Sequence, residues 1–232
     1  MKRFVFSFLL LATAFIAKAQ TADEIIAKHL EAIGGADAWK KVNSVKLEGI
    51  VKIQGGAEAT VTQTILHGKG NRQDILFMGM SGYMFVTPTS GWNFMPFQGQ
   101  AAPEALTAED VAEAQADLDA QGNLIDYAAK GHTVEYLGKD DVEGTECFKL
   151  KVNLKSGKPE TLYLDTKSYL IIRSVSIQKA NGQEVESTTN FSNYEKLPEG
   201  IVIPKSLGLS FGEMNITRIT INGPVDETIF KN

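Results

Sequence analysis

Residues 148–155 read Phe-Lys-Leu-Lys-Val-Asn-Leu-Lys, and this stretch decides the fold. Phe148, Leu150, Val152 and Leu154 alternate with Lys149, Lys151, Asn153 and Lys155, the period of a strand with one buried and one wet face. Upstream, Val45, Leu47, Val51 and Ile53 alternate with Lys46, Glu48, Lys52 and Gln54, and a looser version runs through Tyr169, Ile171, Val175 and Ile177. Turn residues separate these runs: Gly55-Gly56, Gly68 to Asn71, Pro88 to Gly91, Gly138 to Asp141, Asp165 to Ser168, and Asn181-Gly182. Short alternating strands with short turns predict a large antiparallel sheet, because parallel strands need helical crossovers.

Two helical patterns interrupt the strands. Thr21 and Glu24 have capping-box spacing, Ile25, Ile26, His29, Leu30 and Ile33 share one helical face, and Gly34-Gly35 supplies a stop. The pattern predicts a helix from Ala22 to Ile33. Thr107 and Asp110 repeat the cap, Val111, Ala114 and Leu118 follow at helical spacing, and Gly122 ends the pattern. A helix of about 13 residues is therefore expected midway through the chain, between two blocks of strands.

The N-terminus is of another kind. Lys2 and Arg3 precede the uncharged run Phe4 to Ala17, and Ala17-Lys18-Ala19 offers small residues where a signal peptidase reads, so residues 1–19 read as a secretory signal peptide. Its removal from the 232-residue chain leaves residues 20–232, expected to form one domain with a formal charge of −8. Nothing in that acidic chain concentrates cations, which excludes nucleic acid as a partner. No later apolar run is long enough to cross a bilayer as a helix, so the expected location is the periplasm, in soluble form. Cys147 is the single cysteine; it has no partner for an intramolecular disulfide and lies far from the position where a lipoprotein is acylated.

Few residues carry recognisable chemistry. His29, His67 and His132 lie on separate elements, none with a second His or Cys at ligand spacing, so no metal is expected. Gly79-Met80-Ser81-Gly82 lacks the glycine that a nucleophile elbow needs at position 83, and the glycine pairs match neither a P-loop nor a dinucleotide fingerprint. No cofactor is expected, and no catalytic group is assigned.

The uneven part of the composition lies between Ile75 and Phe97. Phe77, Met78, Met80, Tyr83, Met84, Phe85, Trp92, Phe94, Met95 and Phe97 include four of the five methionines that follow the signal. Methionine adapts to irregular apolar shapes and aromatic rings give large contact area, so the set is either core or the lining of a cavity for an apolar ligand. From Ile75 to Val86 both parities of the strand carry apolar groups, whereas an antiparallel sheet normally keeps one face wet. The second face needs a cover, and the helix bearing Val111, Ala114 and Leu118 is expected to be that lid.

The segments DEIIAKHLEAIGG (23–35), LIDYAAKGHTVEYLG (124–138), LYLDTKSYL (162–170), and Phe191 to Tyr194 through Gly200 to Pro204 resemble the LolA and LolB type of lipoprotein carrier, and more closely the outer-membrane lipoprotein-sorting-like proteins of Bacteroidetes. The resemblance covers most of the chain after the signal. It implies a mainly β (α+β) fold, a half-open curved antiparallel β-barrel whose concave face is covered by helices. It also implies a non-enzymatic carrier whose partners are a lipid or acylated lipoprotein and a membrane-associated exchange partner. Two other readings remain: a protein-interaction or sensor module on the same fold and, last, a hydrolase, which would need a nucleophile, a base and an orienting group to converge.

Overall fold

The computed structural model describes residues 21–180 and 183–232. The signal peptide and its cleavage site, and the Asn181-Gly182 turn, lie outside the described residues.

The first helix, α1 (Ala22–Ala32), begins with the capping box read from the sequence: the Glu24 N–H donates to Thr21 Oγ1, and the Thr21 N–H to Glu24 Oε2. Gly34 follows with φ +106°, and a Cβ there would lie 2.3 Å from the Gly200 carbonyl oxygen, so only glycine lets the end of α1 close on that turn. The one-turn α2 (Ala36–Trp39) leads into the sheet. Its strands are β1 (Ser44–Ile53), β2 (Glu58–Leu66), β3 (Gly70–Phe77), β4 (Met80–Val86), β5 (Gly91–Phe94) and β6 (Glu104–Ala105), then β7 (Thr133–Val142), β8 (Thr145–Asn153), β9 (Pro159–Asp165), β10 (Ile171–Ala180), β11 (Gln183–Lys196), β12 (Val202–Leu209) and β13 (Gly212–Ile221).

Among the described residues these form one antiparallel sheet in the order β6-β5-β4-β3-β2-β1-β13-β12-β11-β10-β9-β8-β7. The first six strands and the last seven are each a simple meander, joined where β1 pairs with β13, with Val45 opposite Ile221 and Val51 opposite Met214. The sheet is an open, curved barrel, as the resemblance implies. Register shifts at Glu48/Gly49, Tyr136/Lys139 and Ile171/Arg173 are bulges of the kind that bend a sheet.

The chain leaves the sheet at one edge, β6, and returns at the other, β7, so residues 106–132 must cross one face. That inner face also carries α1. Ile25 and Ile26 pack with Leu124 on Phe148, Leu150, Val152, Leu162 and Leu164. Ala120 sits with Val42, Val45 and Ile203, while Val111 and Leu118 sit with Val86. Full burial of each such aliphatic side chain contributes roughly 1.5–3 kcal/mol.

Two expectations are corrected. The crossover helix is not 13 residues long: α3 spans Ala108–Glu113 and passes into a 3-10 turn, Ala114–Leu118. Its start is capped as expected, Thr107 Oγ1 accepting the Asp110 N–H. Beyond it, Glu113, Asp117 and Asp119 place negative charge at the negative end of a helix dipole, which opposes propagation. Tyr169, read as a strand residue, lies in the β9–β10 turn with φ 58° and packs on Phe148. Among the described residues, no helix is long and apolar enough to cross a membrane.

Candidate functional site

Alternation and register sort the methionine and aromatic run onto two faces. Phe77, Met80 and Met84 have inward parity: Phe77 stands opposite Ala59 and Met80, and Met84 opposite Gln73. Phe97 closes on Phe77 with ring centroids 5.7 Å apart, and a Cβ on Gly82 would meet the Phe97 ring at 2.7 Å and Met95 Sδ at 3.2 Å. These five therefore gather on the inner face beside Ile75 and Val61. Met78 occupies the β3–β4 turn and is 77% exposed.

Tyr83, Phe85, Trp92 and Phe94 have the opposite parity. Phe85 pairs with Trp92 and Tyr83 with Phe94, and the Arg72 guanidinium lies 4.4 Å from the Tyr83 ring centroid. Arg72 also holds Asp74 at 2.7 Å and donates to the Ile229 carbonyl. The cover on this outer face is the C-terminal segment: Phe230 is buried against Gly70, and Tyr83 Oη donates to Asn232 Oδ1. The apolar surplus on both parities thus has two covers, the crossover inside and the C-terminus outside.

On the inner face the crossover does not fill the space. A cavity of about 450 Å³ opens between it and β2–β4, lined by Gln63, Ile65, Asn71, Gln73, Met84, Val86, Leu106, Ala114, Asp117 and Asn123, and bordered by Phe85, whose parity on β4 is the outward one. A smaller one of about 170 Å³ lies under α1 on the other side of the same segment, lined by His29, Leu30, Leu162, Ile171, Phe191 and Glu160; Gly122 and Asn123 line both. Met84, in the lining of the larger cavity, is 41% exposed, and Met80, further along the same face of β4, is 40% exposed.

The polar part of the lining escaped the sequence reading. Gln63 faces Gln73 across the β2–β3 pair, and its amide donates to Asn71 Oδ1. Asn123 donates to Glu160 Oε2 at 3.2 Å. Burial pushes the Glu160 carboxyl above its ordinary value, with the Asn123 hydrogen bond opposing and the Asp117 charge reinforcing it. Burial likewise raises Asp117, which still meets solvent at the cavity, and the Lys158 charge works against that rise. The readable signal was a polar residue on an apolar parity: Gln63 between Val61 and Ile65, and Glu160 before Leu162 and Leu164.

Val111 and Leu118 are buried and Ala114 partly buried against Val86 and Leu106, while Gln115 donates to the Val111 and Thr87 carbonyls. His29 is buried, with Nδ1 2.8 Å from the Tyr169 carbonyl, and burial holds its pKa below the ordinary value. Among the described residues, no group of His, Cys, Asp and Glu gathers in a metal-holding arrangement.

No protein-family model matches the chain, and no curated protein sequence does. Solved structures do. A LolA superfamily protein from Nitrosomonas europaea aligns at a TM-score of 0.55 with 14% identity over 92% of this chain and 99% of that one. A DUF1329 family protein from Desulfovibrio piger gives 0.56 and 14% over 92% and 98%. A domain described as outer membrane lipoprotein-sorting, from Vibrio parahaemolyticus, gives 0.52 and 14% over 89% and 94%. With its two meanders joined at β1–β13 and its edges left apart beneath a crossover, the chain has the LolA-like open-barrel fold.

Proposed function

We propose that the protein is a soluble periplasmic carrier that holds an apolar moiety, the acyl chain of a lipid or lipoprotein, without converting it. The observation that carries this reading is the incompletely covered inner face, where the half-exposed Met84 lines a cavity of about 450 Å³. Cavities of a few hundred Å³ suit small ligands, and burying each methylene of a chain contributes about 0.8 kcal/mol, so six methylenes supply about 5 kcal/mol. The N-terminal signal reading supports export, and the likeness in fold to proteins named for lipoprotein sorting supports the ligand class.

The test is mass spectrometry of natively purified protein, followed by uptake of a fluorescent fatty acid by the delipidated chain. A co-purifying acyl species and saturable uptake are expected. Neither bound lipid nor uptake would hand the fold to the interaction-module reading, whose contact surface would include the exposed Met78 and Phe211 at hairpin tips on the same end of the sheet.

A further inference from the structure

A separate cleft of about 620 Å³ lies on the far side of the crossover from the inner cavity. It draws His67 from the β2–β3 turn, Asp119, Lys130 and His132 from the crossover, and Lys155 and Ser156 from the β8–β9 turn. We infer that this cleft binds an oxyanion of the phosphate class, either free or as the head of an anionic amphiphile.

The charge arrangement is the first support. In a chain with 28 acidic and 23 basic residues, a lysine at the surface usually finds a carboxylate: Lys69, Lys139 and Lys149 each hold one within 2.9 Å. Lys155 holds none among the described residues, although its stem is steadied against Gly131. The single carboxylate lining the cleft, Asp119, is already engaged. Its Oδ2 accepts from Lys130 Nζ, while Oδ1 accepts the Gln121 N–H and lies 3.3 Å from His67 Nδ1. One cation therefore faces the cleft uncompensated.

Donor geometry is the second support. The Lys155 backbone N–H donates to His132 Nδ1 at 3.0 Å, which leaves the ring proton of neutral His132 on Nε2 as a donor. Burial and then the Lys130 charge hold His132 below its ordinary pKa; Lys155 acts in the same direction and Asp119 opposes, as expected where positive potential prevails. The Lys155 ammonium and Ser156 hydroxyl from one turn and the His132 imidazole N–H from the crossover are the donors that a multidentate oxyanion uses and a hydrocarbon does not. Ala116 and Asp119 line both this cleft and the inner cavity, so an anionic head here would sit beside a chain held inside. The inference does not depend on that chain being present.

The test is titration calorimetry of the delipidated protein at fixed ionic strength, with inorganic phosphate, dihexanoyl phosphatidate and uncharged dihexanoylglycerol as separate probes. Lys155→Gln is expected to weaken oxyanion binding about tenfold, the lower range for one charge-assisted hydrogen bond, with an unchanged urea midpoint, and Lys155→Arg to restore it. Phosphate binding alone identifies a free-anion site, and binding of phosphatidate only identifies a headgroup site; each upholds the inference. It is overturned if neither binds, if Lys155→Gln binds as tightly as the wild type, or if dihexanoylglycerol binds as well as phosphatidate. Uptake of a neutral apolar probe, measured separately, reports on the carrier reading and not on this one.

Discussion

Met84 and Phe85 are neighbours in sequence and point to opposite faces of β4, so truncating each in turn separates ligand surface from core. Phe85 is 1% exposed and sits between the Tyr83 ring and Trp92 with Arg72 nearby. Phe85→Ala should therefore cost about 3–5 kcal/mol, as buried aromatic truncations do. At about 2–4 °C per kcal/mol for a domain of this size, the melting temperature should fall by about 6–20 °C. Met84 is 41% exposed, so its truncation removes little more than half of a buried methionine's contacts. Scaling the roughly 1.5–3 kcal/mol of full burial by that fraction, and allowing for the methyl that alanine keeps, gives a cost of about 1 kcal/mol. In the loaded protein the open Met84 surface would be covered by the acyl chain. Losing on the order of 1 kcal/mol of that contact weakens probe binding about fivefold. Fluorescent fatty acid titration beside urea denaturation measures both. Phe94→Ala, on the outer face and only partly buried, should cost less stability than Phe85→Ala and spare uptake by the folded protein. The reasoning fails if Met84→Ala lowers the urea midpoint as far as Phe85→Ala, or if folded Phe85→Ala loses uptake as fully as Met84→Ala.

Three further outcomes are expected. Amide hydrogens in residues 107–121, where a six-residue helix and a 3-10 turn rest on three apolar side chains, should exchange faster than those around Leu150 and slow when an apolar ligand binds; equal protection with and without ligand removes the lid from the mechanism. Glu160 has a raised folded pKa, so its contribution to stability is full below its ordinary value of 4.5 and is lost as pH rises through the folded value; Glu160→Gln should therefore be more stable than wild type at pH 7, with the gap closing toward pH 4 in urea titrations. His29 and His132 have lowered folded pKa values, so their contribution is present above the ordinary 6.5 and is lost as pH falls below it, which should lower the wild-type urea midpoint between pH 7 and pH 5.

What the sequence conveyed follows from which interactions are local. The alternation in 148–155 became β8 with Leu150 and Val152 fully buried, because strand period and hydrophobic burial act on neighbouring residues. Capping boxes at Thr21 and Thr107 were legible for the same reason. The extent of the second helix was not, since Glu113 and Asp117 interrupt the apolar pattern and oppose its propagation without breaking its spacing. Nor could sequence assign the two apolar parities of 75–86, because the outer cover is Phe230, brought onto Gly70 by the return of the chain's end. Past the register shift between Ile171 and Arg173, Ser174 pairs with Leu162 on the inner face while Val175 and Ile177 turn outward, so an apolar pattern that looked core-facing lies on the other side. The polar lining at Gln63, Gln73 and Glu160 was present in the pattern but carried no meaning until the strands were paired.

The cavity itself is a consequence of topology. A 13-stranded sheet that does not close has two edges, and both are built against further pairing: β6 has two residues, and β7 exposes Glu135, Lys139, Asp140 and Asp141. The same two edges are where the chain leaves and re-enters the sheet, so the connection between them is forced across the inner face and becomes its cover. A connection fixed at both ends touches the face where its few apolar residues fall: Val111 and Leu118 near Val86, Ala120 near Val45, and Leu124 near Leu150. Between those anchors the surface bearing Met84 stays open. A second full layer of helices would have buried it and left nothing to bind a ligand. A ligand seated there must touch the segment that spans both halves of the sheet, so occupancy and the ordering of the crossover are coupled by construction.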